Sequence, residues 1–482
     1  MHPSYRTLAL IVAAALFMEN LDGTIIATAL PAIARDFGVA PLSLNLAITA
    51  YLLSLCIFIP ISGWAADRFG ARRVFSGAIV VFMAGSVACA AANGPETLVM
   101  ARILQGMGGA MMVPVGRLVI LRAVPKGELI KALTWLTIPA LLGPVMGPPI
   151  GGFIVTFHDW RWIFLINIPV GILGLFLAHG YIPHIRAEGV AKLDGIGFML
   201  TACGLAALVF TFEAVGRSSL APLTLVFIAL FGVAALLGYA FHARRHPAPL
   251  VNLTLLKVST YRLAILGGSL FRIGIGALPI LLPLLLQLGF GMSAFASGLI
   301  TFASAAGALV MKGATQLVLK AFGFRRVLIV NGILSGVIMM GYALFQPGLP
   351  QTIIFTALLF GGMLRSLQFT ALNALSYADI GDSAMSSAST FSAMMQQLAL
   401  SLGAGTAAFT LHMTLATRGH AGLQAGDFQP AYLIVGGLVI LSALMFLRLP
   451  RAAGANVSGN LSATPKAEVT VQAGTVIDGK AR

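Results

Sequence analysis

The sequence predicts an all-α polytopic membrane protein, and three observations lead to this fold class. The chain is 58% hydrophobic and 9% charged, with a mean hydropathy of +0.95, which excludes a soluble globular protein. It contains fourteen apolar runs, each about long enough to cross ~30 Å of hydrocarbon as a helix. Only short polar loops join the runs. The function is therefore expected to lie in or across the bilayer.

Hydropathy places one predicted membrane helix in each apolar run. The first run is not expected to be a cleaved signal sequence, because Glu19 and Asp22 interrupt its apolar core. In chain order, the runs cover residues 7–30, 44–66, 74–92, 97–121, 129–157, 161–179, 193–213, 221–242, 262–288, 294–317, 326–345, 350–375, 390–412 and 429–448.

A repeated loop motif divides these runs into two bundles. The loop after the second run reads DRFGARRVF from Asp67, and a second copy, KAFGFRRVL, begins at Lys320. Such a repeat predicts two six-helix bundles related by an axis along the membrane normal, with the seventh and eighth runs inserted between them. The predicted domains are an N-terminal bundle (1–185), two inserted helices (186–255), a C-terminal bundle (256–450) and a disordered cytoplasmic tail (451–482).

The net charge of +15 is attributed to membrane topology. Lys and Arg cluster at the N-terminus, in the even-numbered loops and in the C-terminal tail. By the positive-inside rule this distribution places both termini in the cytoplasm. The charge therefore gives no reason to expect a nucleic-acid partner. The predicted location is the plasma membrane, as a multi-pass protein of a bacterial inner membrane.

The chain offers little for enzyme or metal chemistry. Cys56, Cys89 and Cys203 lie inside apolar runs, with neither a disulfide framework nor metal-ligand spacing. No motif combines a nucleophile, a base and an orienting acid, and no phosphate-binding loop is present. We therefore expect no enzyme, cofactor, metal or ATP-driven pump. The energy for any transport would come from an ion gradient.

Glu19 and Asp22 place two acids within the first apolar run. A charge at the bilayer centre costs about 3 kcal/mol on insertion scales, so such residues usually mark an ion or substrate path. At 1.5 Å per residue, Asp22 and Arg102 of the fourth run reach similar depth and could pair. A purely structural ion pair is the alternative. Glu19 could share a proton, bind a cationic substrate or pair with an arginine.

The C-terminal half carries Arg272 and Arg365 within apolar runs. Each could line a cavity or neutralise an acid across the bundle. Glu213 ends the seventh run and is expected to be solvated at the outer surface. In the fifth run, GPVMGPPIGGF (143–153) favours close helix packing and kinks. That helix could bend where the two bundles rock against each other.

Five motifs, in chain order, cover nearly the whole sequence apart from the tail. They are LDGTIIATALP (21–31), GWAADRFGARR (63–73), RILQGMGG (102–109), GPVMGPPIGG (143–152) and WRWIFLINIPVG (160–171). Together they resemble the major facilitator superfamily, specifically its fourteen-spanner drug:proton antiporters of the EmrB/QacA type. The resemblance implies the major facilitator fold, with two six-helix bundles plus two inserted helices.

The resemblance also implies roles for individual residues. Asp22 corresponds to the proton-coupling acid of the first helix, and Arg102 to an arginine tied to proton transfer. Glu19 is outside the family motif but remains a candidate for the proton. The implied conformational latch consists of Gly63, Asp67, Arg68, Gly70, Arg72 and Arg73. Lys320 stands where the second copy of this loop would have an acid, which predicts a weak C-terminal latch.

Two further sets of residues follow from this comparison and from the buried charges. The first is an antiporter motif on the fifth helix, associated with export in exchange for protons. It comprises Gly143, Pro144, Gly147, Pro148, Gly151 and Gly152. The second is a substrate cavity lined by Glu19, Asp22, Arg102, Gln105, Arg272 and Arg365.

The expected function is secondary active transport. The protein would exchange protons for drugs or other small amphipathic compounds by alternating access, and would work as a monomer in the lipid bilayer. A dedicated exporter of one metabolite or organic anion is the alternative, with Arg272 and Arg365 as anion ligands. A membrane-embedded enzyme or a sensor would need a nucleophile constellation or a soluble domain, and the sequence contains neither.

Overall fold

A computed structural model describes residues 5–124, 129–183, 192–215, 221–247, 249–381, 384–419 and 422–455. These residues form helices and loops, without a strand, so the predicted all-α class is confirmed for them. The predicted boundary at residue 186 and residues 456–482 of the predicted tail lie outside this description. The helices are α1 (Tyr5–Phe37), α2 (Asn45–Phe69), α3 (Ala71–Ala90), α4 (Pro95–Ala123), α5 (Leu129–Phe157), α6 (Trp162–Leu165), α7 (Asn167–Tyr181), α8 (Gly195–Val215), α9 (Pro222–Arg245), α10 (Ser259–Leu284), α11 (Ala294–Gly341), α12 (Gln351–Tyr377), α13 (Met385–Arg418) and α14 (Gln429–Met445).

Twelve helical segments in the described part of the chain are long and apolar enough to cross a membrane. This number is smaller than the fourteen predicted runs. One segment, Ala294–Leu344, has 51 residues and covers two predicted runs, with a non-helical backbone at Gly323 between them. Leu142–Phe157, in the predicted fifth run, is a shorter apolar helix. The predicted count of fourteen is thus not reached by length and composition alone.

The repeated loop motif forms the same turn in both halves. Gly70 between α2 and α3 has φ of 94°, and Gly323 within α11 has φ of 72°. These angles favour glycine because a Cβ would crowd the backbone. Beyond each turn an arginine donates to a carbonyl oxygen at the end of another helix. Arg72 donates to His179, and Arg325 donates to Leu447 at 2.9 Å.

Helix packing separates an N-terminal from a C-terminal group. In the first, α1 packs on α5, and α4 packs on both α2 and α3. In the second, α11 packs on α12 and α14, and α10 packs on α13 and α14. The pairs α5 with α11 and α2 with α13 join the two groups. Buried apolar side chains fill the space between the helices in each group.

The two groups of helices meet at one end of the molecule. We call the end where α1 is followed by α2 the distal face, and the end where α2 is followed by α3 the proximal face. Near the distal face, the backbones of α5 and α11 approach so closely that a Cβ added at Gly152 would lie 2.4 Å from the carbonyl oxygen of Ala294. A Cβ at Gly298 would lie 2.3 Å from the carbonyl oxygen of Pro148.

Hydrogen bonds and aromatic contacts strengthen this distal seam. Gln287 Nε2 donates to the Thr28 carbonyl at 3.0 Å, which links the C-terminal group to α1. The Phe295 ring lies with its centroid 5.9 Å from that of Phe157 and 6.2 Å from that of Phe153. The structure is therefore closed between the two groups at the distal face.

Helices α8 and α9 form a pair that packs on α2 and α13. Asp194, just before α8, accepts hydrogen bonds from the Gly197 amide at 2.8 Å and the Leu250 amide at 3.1 Å, and it contacts His242 Nε2 at 2.7 Å. Burial raises the pKa of the Asp194 carboxyl. The hydrogen bonds together lower it by a larger amount, so its pKa lies below the usual value. Asp194 thus ties the start of α8 to the end of α9.

Glu213 corrects one prediction made from the sequence. The residue is 6% exposed instead of solvated, and its Oε1 accepts a hydrogen bond from Asn45 Nδ2 at 2.9 Å. The difference arises because α8 packs against α2 and α13, which covers the end of the seventh run. The position of Glu213 at the end of an apolar run therefore did not determine whether its side chain is exposed to solvent.

We predict that Gly70→Ala destabilises the protein, because its Cβ would be placed at a φ that L-residues avoid, at a cost of order 1–3 kcal/mol. Gly323→Ala should act in the same direction. Gly77→Ala on α3 is the matched control, since a Cβ there meets nothing within 4 Å. The measurement is the thermal unfolding midpoint of the purified protein in detergent. Equal midpoints for Gly70→Ala and Gly77→Ala would contradict the prediction.

Candidate functional site

The predicted acid and base of the N-terminal group form a buried ion pair. Asp22 on α1 and Arg102 on α4 are 1% and 0% exposed, and Arg102 Nη1 donates to Asp22 Oδ2. The other carboxylate oxygen, Oδ1, accepts from Gln105 Nε2 at 2.8 Å and from Asn167 Nδ2 at 3.0 Å. Both oxygens of Asp22 are therefore engaged by hydrogen-bond donors from α4 and α7.

Polar side chains of α3 and α4 hold this pair in place. Ser86 Oγ accepts hydrogen bonds from Gln105 Nε2 at 2.9 Å and from Asn167 Nδ2 at 3.2 Å. Gln105 Oε1 accepts from Arg102 Nη1 at 2.6 Å. The network connects α1, α3, α4 and α7, so a change in the charge of Asp22 would be felt by four helices.

Arg102 also makes contacts that leave part of its guanidinium without a partner. Its Cζ lies 4.0 Å from the centroid of the Tyr51 ring on α2 and 5.9 Å from that of Phe164. These distances permit cation–π attraction. Two of its nitrogens, Nε and Nη2, are buried without a hydrogen-bond partner. The Arg102 guanidinium is thus held by the Asp22 carboxylate and the Tyr51 ring, and two of its nitrogens could still donate hydrogen bonds.

Glu19 lies one turn before Asp22 on α1 and is 8% exposed. Its Oε2 is buried without a hydrogen-bond partner, and so is the hydroxyl of Tyr51. A Cβ added at Gly109 of α4 would lie 3.4 Å from the Tyr51 hydroxyl and 3.6 Å from Glu19 Cγ, so both groups border that glycine. The two acids therefore differ: Asp22 is saturated with donors, whereas Glu19 has an unpartnered oxygen.

A cavity of about 350 Å³ lies between the two groups of helices. This volume falls within the range of small-molecule sites. Residues of α1 and α5 form one wall, and residues of α10, α11 and α12 form the other. Its polar lining consists of Thr24, Thr28, Thr301, Ser304, Ser366, Lys312 and Arg365, and the remaining lining side chains are apolar.

The predicted cavity residues are not all in this space. Arg365 lines it, whereas Glu19, Asp22, Arg102, Gln105 and Arg272 do not. Arg272 on α10 is 1% exposed, donates from Nη2 to Asn373 Oδ1 at 2.9 Å and lies 5.2 Å from the Phe369 ring centroid. The polar cluster around Asp22 and the cavity are thus separate features of the structure.

The predicted antiporter motif of α5 packs on two other helices. Added Cβ atoms at Gly143, Gly147 and Gly151 would each lie within 3 Å of an atom of α1. Gly152 faces α11, as described for the distal seam. Pro144 and Pro148 line the cavity. The motif therefore brings α5 into close contact with both groups of helices and forms part of the cavity wall.

The predicted latch residues surround the proximal turn between α2 and α3. Asp67 Oδ1 and Arg122 Nη2 form an ion pair at 2.8 Å that links α2 to the end of α4. Arg72 reaches α7, and Gly70 supplies the positive φ of the turn. The remaining latch residues, Gly63, Arg68 and Arg73, are exposed.

Sequence reasoning missed Ser86, Asn167 and Lys312. Each lies inside a predicted apolar run. Polar residues in such runs must find partners, and this criterion would have identified all three as candidates. Lys312 on α11 donates to Thr370 Oγ1 at 2.9 Å. A metal-ligand geometry also escaped notice: Asp194, His242 and His246 place ligand atoms within 4.8 Å of one another. Asp194 contacts His242 directly, and the ring centroids of His242 and His246 lie 5.1 Å apart.

The chain matches the family model described as Major Facilitator Superfamily over residues 12–404. Among curated relatives, multidrug resistance protein MdtD of Enterobacter sp. (strain 638) is 37% identical over 459 residues, covering 93% of this chain and 95% of that protein. MdtD of Salmonella newport (strain SL254) is 37% identical over 452 residues, covering 91% of this chain and 94% of that protein.

Solved structures show the same fold. A D-xylose-proton symporter aligns with a TM-score of 0.68 at 17% identity, covering 93% of this chain and 98% of that chain. The nucleoside transporter NupG aligns with a TM-score of 0.62 at 13% identity, covering 91% and 99%. These neighbours are transporters, not enzymes. The resemblance in the sequence is confirmed, and the chain belongs to the major facilitator superfamily, in the family of the MdtD proteins.

Proposed function

We propose that this multi-pass membrane transporter exports small amphipathic compounds, drugs among them, in exchange for protons. The observation that carries the proposal is the buried cluster of Glu19, Asp22 and Arg102, because ionisable groups at such positions usually serve ion pathways. The multidrug resistance names of the MdtD relatives support the substrate class.

The proposal includes topology. Fourteen spans result if α11 is counted as two helices at Gly323 and α5 as a complete span. The protein would work as a monomer in a bacterial inner membrane, with both termini in the cytoplasm. The distal face would then be on the periplasmic side, and the closed distal seam would correspond to an inward-facing state of an alternating-access cycle.

Within this scheme we assign the proton to Glu19 and a transmitting role to the pair of Asp22 and Arg102. A buried carboxylate without a hydrogen-bond partner is costly, and a proton removes that charge. Asp22 lies one turn from Glu19 on α1, the Tyr51 hydroxyl on α2 borders the same glycine as Glu19, and Arg102 lies over the Tyr51 ring. The Tyr51 hydroxyl and two guanidinium nitrogens of Arg102 are hydrogen-bond donors without a partner. When Glu19 loses its proton, these donors could bond to its carboxylate.

This shift in hydrogen bonding offers a route from proton to helix movement. If Arg102 turns toward an ionised Glu19, its hold on Asp22 weakens, and with it the contacts of Asp22 to α4 and α7. Protonation would restore the arrangement seen in the structure. Two arrangements of one buried network can thus favour two arrangements of the helices.

A dedicated exporter of one metabolite or organic anion is the second candidate. The observation that favours it is the presence of Arg365 and Lys312 in the cavity lining, where none of the described lining residues is Asp or Glu.

The first prediction concerns transport. In inverted membrane vesicles energised by a pH gradient, adding ethidium, phenylnaphthylamine or anilinonaphthalene sulfonate should release protons through the wild-type protein for at least one of these compounds. Asp22→Asn and Glu19→Gln should both abolish this release while the protein still inserts. If either variant releases protons as the wild type does, the role assigned to the substituted residue is wrong. If no compound releases protons through the wild type, antiport is contradicted.

The second prediction separates the two acids. Glu19→Gln should leave the thermal midpoint unchanged or raise it, because it removes a carboxyl with an unpartnered oxygen. Asp22→Asn should lower it, since breaking a buried pair costs about 3–5 kcal/mol. In infrared difference spectra recorded while pH is raised, the carbonyl band of a protonated carboxylic acid should disappear in the wild type and in Asp22→Asn. It should be missing in Glu19→Gln, and its persistence there would refute the assignment.

The third prediction concerns the distal seam. Gly298→Ala and Gly152→Ala should weaken the seam, because the new Cβ would fall within 2.4 Å of a facing carbonyl oxygen. Transport should fall severalfold at normal expression, and a single cysteine placed near the seam should become more reactive to a membrane-impermeant thiol reagent. Gly313→Ala, on the same helix with nothing within 4 Å of the added Cβ, is the control. Similar behaviour of all three variants would contradict the idea.

A further inference from the structure

Three cations of the C-terminal group of helices make hydrogen bonds only to neutral groups among the residues that the structure describes. Arg272, Lys312 and Arg365 all lie within membrane-spanning helices, and in the described part of the chain none has a carboxylate within 4.0 Å. Their hydrogen bonds go to neutral groups. The N-terminal group differs, because Arg102 there is neutralised by Asp22. The buried arginines of the two groups are therefore compensated in different ways, by a carboxylate in one and by neutral groups in the other.

Two of these cations face the cavity. Arg365 on α12 donates from Nη2 to Ser304 Oγ, and both residues line the space. Lys312 lines it two helical turns along α11 from Ser304, a rise of about 12 Å, toward the proximal face. Lys312 is exposed, whereas Arg365 is half-buried. One cation thus stands nearer the proximal opening and the other lies deeper.

An arginine within a membrane helix is costly unless an anion or a hydrogen-bond acceptor compensates it. The guanidinium has five donors in a planar fork that suits carboxylate, sulfonate or phosphate oxygens. Ser304 engages only part of that fork. The charge that would complete the environment of Arg365 is missing from the described protein residues, and the cavity provides the space for a ligand to supply it.

The rest of the lining indicates the remainder of the ligand. The wall opposite Arg365 is formed by Thr24, Thr28, Pro144, Val145 and Pro148, and α10 contributes Ile275, Leu278, Pro279, Leu282 and Pro283. This surface suits an apolar body with few polar groups. Acidic side chains, which would repel an anion and attract a cation, are absent from the described lining.

We propose that the cavity binds amphipathic organic anions, with the acidic group of the ligand on Arg365, its apolar body against α5 and α10, and Lys312 attracting the anion at the proximal opening. This inference deepens the proposed transport function, since it names the charge class of the substrate. It does not depend on proton coupling, because it concerns binding in the state seen here.

Binding of a matched pair of probes to the full-length protein in nanodiscs tests the proposal. Anilinonaphthalene sulfonate and phenylnaphthylamine share a ring system, and only the first carries a sulfonate. Fluorescence titrations are corrected with empty nanodiscs. The wild type should bind the sulfonate at least about tenfold more tightly than the neutral probe, the factor expected for one charge-assisted hydrogen bond. Arg365→Gln should lose this preference, and Arg365→Lys should keep part of it.

Further variants locate the effect. Lys312→Gln should slow association of the sulfonate and weaken its dependence on ionic strength, because Lys312 acts from the opening. Arg262→Gln, an exposed cation on α10 outside the cavity, should behave as the wild type. An unchanged sulfonate preference in Arg365→Gln, or none in the wild type, overturns the proposal. If the preference holds but no probe releases protons in vesicles, anion binding stands and antiport fails.

Discussion

The buried ion pair of Asp22 and Arg102 is the interaction on which the N-terminal half of the structure depends. Removing either partner of a buried pair costs about 3–5 kcal/mol, which is a large fraction of the net stability of a typical domain. Their pairing requires α1 and α4 to face each other at one depth. Gln105 and Asn167 donate to the second carboxylate oxygen of Asp22, and Gln105 also donates to Ser86, which adds α3 and α7 to the same cluster. The polar network thereby determines which faces of four helices turn inward.

The two halves of the molecule use one architecture with different electrostatics. The turns at Gly70 and Gly323, each followed by an arginine bonded to the end of another helix, show that the repeat extends to local geometry. The buried charges do not repeat. Arg102 in the N-terminal half is paired with Asp22, whereas Arg272, Lys312 and Arg365 in the C-terminal half bond to neutral groups. Under the proposed mechanism, such a division would let one half respond to protons while the other selects a ligand.

Much of the fold could be predicted from the sequence, because hydrophobic length and loop charge are local properties. The apolar runs, the repeat and the pairing of Asp22 with Arg102 followed from counting residues along helices. Rotation of each helix about its axis is set by packing and is not visible in the same way. For that reason the exposure of Glu213, the position of Arg272 outside the cavity and the role of Lys312 in its lining were missed. The sequence identified ionisable residues in membrane runs better than it located the surfaces they face.

The hydrogen bond from Asn45 to Glu213 bears on the inserted helices. Asn45 begins α2 in the N-terminal half, and its amide also reaches the Ala404 carbonyl on α13 in the C-terminal half at 3.4 Å. Helix α8 therefore contacts both halves where they meet, and Asp194 joins α8 to α9 at the opposite end of the pair. Any separation of the halves at the distal face must stretch or release this contact. The inserted pair thus spans the junction of the two halves, and we infer that its contacts with them would change if the distal face opened.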